Sequence, residues 1–300
     1  MPLELRCGAT SAVVNPERGG EIKSARLEGH ELLSVMPWTR AAMPEGPAPD
    51  EDEFTQAWGG GWQLAFPNAG NASTFRGRRY CFHGDGSFRP WQVGETSESS
   101  VLLAWASGGL LARRRIAVLE DGFHLSTEVA AVGADPESFI AVEHLTLGSA
   151  VTEGGYRLEL PAVELVDLTS RRRRRSPWPG EIDERSQSRW DVVPAGAQVS
   201  RYGAVGPMPT GALRVIPGGR EPELELAWDY ESLPFVWIWQ EQDGDPAPPW
   251  NGCAQALGIE PSMVPDEGGI SAAYSNGHLA TIQPGETRSW WVSLRLAGGS

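Results

Sequence analysis

The chain has 300 residues, of which 40% are hydrophobic and 21% charged, enough to bury the core of one large β domain or two ordinary ones. The formal net charge of −14 excludes nucleic acid as an expected partner, because phosphate binding requires a basic surface. No apolar run approaches the ~18–20 residues that cross a bilayer, and the N-terminal segment lacks the features of a signal peptide. We therefore expect a cytoplasmic protein with no membrane partner.

Several cofactor classes are also disfavoured. Cys7, Cys81 and Cys253 are widely spaced and form no CxxC pair, which argues against a disulfide framework or a zinc cluster. Lys23 is the only lysine, so neither a phosphate-binding GK[ST] loop nor Schiff-base chemistry is expected. GxGxxG, HExxH and GxSxG motifs are absent as well. The sequence predicts a protein with no metal and no cofactor.

Short alternating runs separated by turn residues predict an all-β protein with little helix. In chain order, residues 24–35 predict two strands around a Glu-Gly turn, and residues 110–133 predict a hairpin at Asp121-Gly122. Residues 277–296 predict a strand, a Gln-Pro-Gly-Glu turn and a last strand with alternating Trp290, Val292 and Leu294.

Two segments break this pattern. Residues 43–56 are acidic and proline-rich and predict an exposed loop, and residues 169–190 form a charged insertion. Strand-like sequence resumes directly on both sides of each segment, which is not typical of a linker between domains. We therefore expect a single domain over residues 1–300, folded as a large sandwich of antiparallel sheets.

Three titratable groups lie in strand-edge or loop sequence far apart along the chain: His83, His144 and Glu260. A β scaffold that brings such groups together makes an acid–base site, in which each group has one proton-transfer role. Without other information, a single histidine in a β protein is more often structural than catalytic.

The chain resembles the aldose 1-epimerase, or galactose mutarotase-like, family. The matching segments are GGEIKSARLEGHELL, FRGRRYCFHGDGSFRPWQV, EHLTLG, FVWIWQE, LGIEPSM and IQPGETRSWWVSLRL, which follow the family's order over nearly the whole chain. The resemblance implies a galactose mutarotase-like supersandwich, that is, a large antiparallel β-sandwich, and an isomerase that interconverts the anomers of free sugars without a cofactor.

The resemblance also implies roles for the three groups. Glu260 is expected to be ionised and to accept the proton of the anomeric hydroxyl, and His144 to be protonated and to act as general acid on the ring oxygen. His83 is expected to contact the sugar near the anomeric centre. A bell-shaped pH profile, whose falling limb follows the imidazole, is expected from these roles.

Sugar-binding residues are implied less directly. Gln240 matches a sugar-binding position of the family, and Trp239 and Trp62 are the tryptophans best placed to stack on a sugar. The family's Asn-Arg pair reads Pro67-Asn68-Ala69-Gly70 here, so Asn68 and the displaced Arg76 are candidates. For the family's sugar-binding aspartate, both Asp229 and Asp245 are possible.

The predicted function is carbohydrate metabolism through mutarotation of a free monosaccharide, by a monomer or homodimer. The alternatives are an epimerase of a phosphorylated or sulfonated sugar and a non-catalytic carbohydrate-binding protein on the same fold. Arg171 to Arg175 form either a solvated loop or a clamp for an anionic substituent. The sequence leaves the sugar, its charge and the role of this arginine run open.

Overall fold

A computed structural model describes residues 1–38, 50–161, 163–169, 173–183, 185–219 and 222–298. Strands make up 52% of the structure and helices 8%, which confirms the all-β prediction. None of the helices among the described residues is long and apolar enough to span a membrane.

The strands of the described residues follow one another in this order: β1 Leu3–Cys7, β2 Thr10–Asn15, β3 Glu21–Leu27, β4 His30–Glu31, β5 Gly61–Ala65, β6 Ser73–Phe75, β7 Arg78–Tyr80, β8 Gln92–Thr96, β9 Ser100–Ser107, β10 Leu110–Leu119, β11 Gly122–Ala131, β12 Glu137–Phe139, β13 Val142–Leu147, β14 Gly155–Glu159, β15 Glu164–Asp167, β16 Arg174–Pro177, β17 Val192–Pro194, β18 Val199–Val205, β19 Ala212–Pro217, β20 Leu224–Trp228, β21 Phe235–Gln242, β22 Gln255–Ser262, β23 Ala280–Ile282 and β24 Thr287–Leu296. The helices are α1 Glu51–Ala57, α2 Ser149–Thr152 and α3 Gly269–Ser275, with one 3-10 turn over Asp85–Ser87.

Two large antiparallel sheets form the body of the protein. The first has the order β1-β2-β3-β5-β13-β22-β21-β18-β15-β16, with β4 paired to β3. The second has the order β17-β14-β19-β20-β24-β11-β10-β9-β8. Two small pairs, β6-β7 and β12-β23, lie outside these sheets. The large antiparallel β-sandwich predicted from the sequence is confirmed.

The core lies between the two sheets. Strands of the second sheet alternate buried and half-exposed residues, as β10 does, because one of their faces meets solvent. Strands β13, β21 and β22 of the first sheet are instead buried on both faces. Their inner face packs against the second sheet and contributes to one apolar cluster with it. Their outer face is covered by loops and α1, and this covered outer face holds the candidate site.

The predicted local structure is mostly confirmed. The strands of residues 24–35 and the hairpin at Asp121-Gly122 are present. The last two predicted strands exist as β23 and β24, but they pair with different partners rather than with each other. Trp290, Val292 and Leu294 are buried as expected.

The exposed loop predicted for residues 43–56 is wrong in its last part. Residues 51–57 form α1, whose N-cap Asp50 accepts a hydrogen bond from Glu53 N while the Glu53 side chain accepts one from Asp50 N. This reciprocal capping box stabilises a helix start within acidic sequence. Residues 43–49 lie outside the described residues. In the predicted charged insertion, residues 174–177 form β16 at the edge of the first sheet, and residues 170–172 and 184 are outside the described residues.

Candidate active site

A cavity of about 260 Å³ opens on the outer face of the first sheet. Its floor is a row of side chains from neighbouring strands. Trp237 and Glu260 are cross-strand partners, as are Trp239 and Gly258, and Tyr202 on β18 is opposite Trp239. The register of β13 with β22 puts His144 level with Glu260. Because successive residues of a strand point to opposite faces, the cavity receives every second residue of each strand.

Three titratable side chains meet at one end of the cavity. His144 Nε2 lies 3.7 Å from Glu260 Oε1, and the rings of His83 and His144 are 5.0 Å apart between centroids. All three are buried, with exposed fractions of 7% for His83, 8% for His144 and 3% for Glu260. The structure therefore brings together the three residues that the sequence singled out as catalytic.

The backbone of Gly70 holds both the ring and the backbone of His83. Its Nδ1 accepts a hydrogen bond from Gly70 N at 3.1 Å, and its backbone N donates to Gly70 O at 3.0 Å. A neutral imidazole that accepts at Nδ1 carries its proton on Nε2, which makes Nε2 the donor. Gly70 has a φ of 70°, and a Cβ there would lie 2.2 Å from the Glu267 carbonyl oxygen. Only glycine therefore fits at position 70, whose backbone holds His83.

Gly258 has a comparable role next to Glu260. A Cβ at this position would come within 2.6 Å of Glu260 Oε1. The missing side chain leaves space for the carboxyl group beside His144. This close approach explains why the LGIEPS segment has a glycine two residues before the glutamate.

Burial controls the charge of the site. It raises the pKa of Glu260 well above its ordinary value and lowers the pKa of His144 to about 4. The pKa of His83 is also lowered well below its ordinary value, by burial and then by the nearby His144. Each neutral form is favoured because a low-dielectric interior disfavours charge. When the pair holds one proton, that proton therefore resides on Glu260, the reverse of the distribution expected from the sequence.

Aromatic rings form the walls of the cavity. Trp239 and Trp250 have ring centroids 5.2 Å apart, and Trp58 lies 5.8 Å from Trp239 and 5.3 Å from the His144 ring. Phe54 packs edge-on against His83 at 5.1 Å. Phe54 lies in α1 and Trp58 is the residue directly after it, so this short helix supplies one wall.

No protein-family model and no curated protein matches the chain, but solved structures do. The Slr1438 protein from Synechocystis sp. PCC 6803 aligns with a TM-score of 0.75 and 17% identity, over 100% of this chain and 96% of its own. A galactose mutarotase related enzyme from Lactobacillus acidophilus aligns with a TM-score of 0.68 and 13% identity, over 99% and 98%. A GalM/aldose epimerase homologue from C. elegans has a TM-score of 0.68 and 14% identity, over 99% and 98%.

The chain has the galactose mutarotase-like fold. The alignments cover nearly whole chains on both sides, so the likeness extends to the entire sandwich. At these identities the likeness concerns the fold, and the chemistry has to be argued from the residues of this chain.

Within this mutarotase-like fold, the predicted sugar-binding residues are only partly found at the cavity. Trp239 lines it. Gln240 points to the other face of β21, where Oε1 accepts from Arg201 Nε at 2.6 Å and Nε2 donates to the Trp190 carbonyl at 3.0 Å. Trp62 faces the core between the sheets and donates to Glu143 at 3.2 Å. Neither Gln240 nor Trp62 can contact a ligand in the cavity.

Three further candidates also lie away from the cavity lining. Asn68 is buried, and its amide donates to the carbonyl oxygens of Cys81 and Asn71, so it supports the loops around the cavity. Arg76 is exposed in the turn between β6 and β7 and lies over the Phe75 ring. Asp229 follows β20 of the second sheet, where Oδ1 accepts from Ser232 N. The alternative Asp245 is in a turn that is bound to Glu241.

The cavity residues missed by the sequence reasoning are mostly aromatic. Phe54 was missed because residues 43–56 are predicted to be a loop, although Asp50 and Glu53 have capping-box spacing. Trp58 follows this segment directly and was missed with the helix. Tyr202 lines the cavity from β18, and nothing in its local sequence distinguishes it from a core tyrosine. Trp237 and Trp250 also line the cavity, although neither was among the predicted sugar-stacking tryptophans.

The arginine run divides between two surroundings. Arg173 pairs with Asp266 at 2.9 Å and with Glu267 at 3.1 Å, at the cavity, and Arg175 pairs with Glu164 on the neighbouring strand. Arg171 and Arg172 lie outside the described residues. No cluster of three or more metal-ligating side chains occurs in the part of the chain that the structure describes.

Proposed function

We propose that the protein is an aldose 1-epimerase, or mutarotase, that interconverts the α and β anomers of a free monosaccharide. The observation that carries the proposal is the 3.7 Å approach of His144 Nε2 to Glu260 Oε1 at the floor of a buried, aromatic cavity. A carboxyl and an imidazole at this separation can contact two adjacent oxygens of one sugar, the anomeric hydroxyl and the ring oxygen.

The single proton shared by Glu260 and His144 is sufficient for ring opening of a sugar. When the proton of Glu260 passes to His144, the pair becomes a carboxylate and an imidazolium, whose attraction is strong in a water-poor cavity. The carboxylate then takes the anomeric hydroxyl proton while the imidazolium protonates the ring oxygen, and the C1–O5 bond breaks. Glu260 ends protonated and His144 neutral, which is the form that burial favours. Rotation about C1–C2 and the reverse steps give the other anomer.

The walls support a sugar as the ligand. Sugars present C–H faces that stack on aromatic rings, and Trp58, Trp239 and Trp250 offer such surfaces around the pair. His83 lines the same cavity, and its Nε2–H is the ring donor that the Gly70 contact leaves for the anomeric oxygen. The presence of His83, His144 and Glu260 together favours catalysis over binding alone.

The charges at the cavity favour a neutral sugar over a phosphorylated or sulfonated one. Glu51 and Glu267 line the cavity, and the pKa of Glu51 is raised by burial and by neighbouring carboxylates that include Glu267. Arg173 is already paired with Asp266 and Glu267. An anionic substituent would meet these carboxylates. The proposal includes a single domain over residues 1–300, action in the cytoplasm, and a monomer or homodimer.

The test is the rate of anomer exchange in a freshly dissolved single anomer, followed by polarimetry or saturation-transfer NMR. Glu260→Gln keeps the shape of the side chain but removes the base, so kcat should fall by about 10²–10⁴. His144→Asn should fall within the same range. Neither change should alter the fold, because neither side chain has a strong hydrogen bond to another of the described residues.

Two matched variants serve as controls. Glu241→Gln changes a buried carboxyl that binds Gly244 N and Asp245 N and does not line the cavity. His124→Asn changes a histidine stacked on Trp291 in the second sheet. Both should retain wild-type rates. A Glu260→Gln protein within about twofold of wild type would remove Glu260 from the mechanism and refute the proposal.

A further inference from the structure

The cavity has polar atoms that the proton transfer does not use. The Tyr202 hydroxyl and Glu267 Oε2 both belong to residues that line it, and both are buried. Neither atom has a hydrogen-bond partner among the residues that the structure describes. A buried polar atom without a partner is unfavourable, and such an atom at a ligand cavity is explained when a ligand supplies the partner.

Tyr202 is held rigidly at this position. It lies on β18 as the cross-strand neighbour of Trp239, and its ring meets the Trp237 ring edge-on at 5.8 Å and 89°. Burial, and then the charges of Glu260 and Glu267, raise the pKa of Tyr202 well above its ordinary value. The phenol therefore keeps its proton at every working pH and acts as a hydrogen-bond donor.

Glu267 is oriented from behind by the arginine run. Its Oε1 accepts from Arg173 Nη2 at 3.1 Å, and Arg173 Nη1 is bound to Asp266 at 2.9 Å. The backbone is fixed as well, because the Glu267 carbonyl accepts from Asn71 N at 2.7 Å. One carboxylate oxygen is thus occupied while Oε2 remains available as an acceptor.

Tyr202 lies two strands away from Glu260 of the catalytic pair. β18 is separated from β22, which carries Glu260, by β21, so the backbones of β18 and β22 are about 10 Å apart at the usual spacing of ~4.8 Å between strands. A sugar whose anomeric centre contacts Glu260 and His144 would therefore extend other hydroxyls toward Tyr202.

We propose that Tyr202 and Glu267 determine substrate specificity by binding one hydroxyl of the sugar away from the anomeric carbon. The Tyr202 hydroxyl donates to that oxygen, and Glu267 Oε2 accepts its proton. This inference rests on the proposed function for its ligand class, a neutral monosaccharide. It also gives Arg173 a role that differs from clamping an anion, since Arg173 orients a carboxylate that binds the sugar.

The test compares wild type with Tyr202→Phe, which removes only the hydroxyl, on D-glucose, D-galactose and their 2-, 3-, 4- and 6-deoxy analogues. For the parent sugar, we expect KM to rise about tenfold, which corresponds to one lost hydrogen bond, with kcat within about threefold. For one deoxy analogue, the KM of the wild type should already be as high as the KM of Tyr202→Phe for the parent sugar. For that analogue, Tyr202→Phe should cause no further rise in KM. This non-additivity identifies the hydroxyl that Tyr202 contacts.

Further variants keep the test decisive. Glu267→Gln should raise KM for the parent sugar but not for the same deoxy analogue that is insensitive to Tyr202→Phe. Tyr156→Phe, which changes a buried tyrosine outside the cavity lining, should leave KM unchanged. An unchanged KM in Tyr202→Phe, or an equal rise for every analogue, would overturn the inference.

Dissociation constants from tryptophan fluorescence separate this inference from the proposed function. If the wild type binds sugars without exchanging anomers, the proposed function fails and the same comparison, made on Kd, still tests Tyr202. If no sugar of the panel is bound or turned over, both proposals fail.

Discussion

Two buried glutamates of neighbouring strands have opposite surroundings. Glu143 precedes His144 on β13 and points into the core between the sheets, where each carboxylate oxygen accepts two hydrogen bonds. Arg114 donates to both oxygens at 2.7 and 2.6 Å, Trp290 donates to Oε1 at 2.9 Å and Trp62 to Oε2 at 3.2 Å. This carboxylate joins β13 of one sheet to β10 and β24 of the other.

Glu260 lies on the next strand and points to the opposite face. Its contact in the structure is His144, at 3.7 Å, and its pKa is raised well above the ordinary value by burial alone. The comparison shows that burial by itself does not identify a functional carboxylate. A carboxylate whose oxygens all accept hydrogen bonds from the core holds the two sheets together, whereas one without such donors can exchange a proton with its neighbour and with a ligand.

The largest effect is expected from removing the partner of Glu143. In Arg114→Met the carboxylate stays buried without its cation, so the free energy of unfolding should fall by about 3–5 kcal/mol. Urea denaturation measures this change. Arg113→Met, which breaks an exposed pair with Glu128 at 3.4 Å, is the matched control and should change stability by less than about 1 kcal/mol. Similar losses in the two variants would contradict the structural role of Glu143.

The second prediction concerns the pH dependence of kcat/KM. The pair reacts with one proton between its two members. Below a pH of about 4 His144 is also protonated, and above the raised pKa of Glu260 the last proton is lost. We therefore expect a broad plateau, with the rate falling about tenfold per pH unit beyond each limb. The alkaline limb follows the carboxyl and not the imidazole, because burial has reversed the order of the two pKa values.

This profile is measured after subtraction of the uncatalysed exchange rate at each pH. A narrow bell with its falling limb near the ordinary histidine pKa of about 6.5 would show that the imidazole holds the proton in the free site. That outcome would mean that burial does not reverse the order of the pKa values of Glu260 and His144.

The last prediction is a gain in stability in Glu260→Gln that depends on pH. The folded state holds the Glu260 proton above the ordinary pKa of 4.5, where the unfolded chain releases it. Folding stability therefore falls as pH rises from this value to the raised pKa, by about 1.4 kcal/mol for each unit between them. Glu260→Gln lacks this loss, so its advantage over wild type in urea denaturation should be absent near pH 4 and grow toward neutral pH. A variant less stable than wild type at neutral pH would mean that the carboxylate has stabilising partners.

The fold was predictable because its signals are local. Alternation along β10 and β11 and the Asp121-Gly122 turn predict a hairpin with no knowledge of the rest of the chain. The pairing of β23 and β24 with separate partners was not predictable, because partner choice depends on contacts distant in sequence. The loop predicted for residues 43–56 was wrong over residues 51–56, because the acidic and proline-rich composition concealed the helix-capping residues Asp50 and Glu53.

The site was predictable only in its titratable groups. On β21 both faces are buried, so apolar alternation does not reveal which face meets the cavity. Trp239 and Gln240 are adjacent in sequence and point to opposite sides of the sheet, and only the structure separates a cavity residue from a core residue there. The same ambiguity affected Trp62.

Helix α1 has seven residues, and isolated helices shorter than ~12–15 residues are marginal in water. Its persistence depends on Phe54 and Trp58, which pack against the rings of His83 and Trp239. We therefore expect this wall of the cavity to open more often than the sheets beneath it. A ligand lying against Trp58 would slow that opening. Amide hydrogen exchange within the helix should therefore become slower when the cavity is occupied, while exchange of the sheet amides should not change.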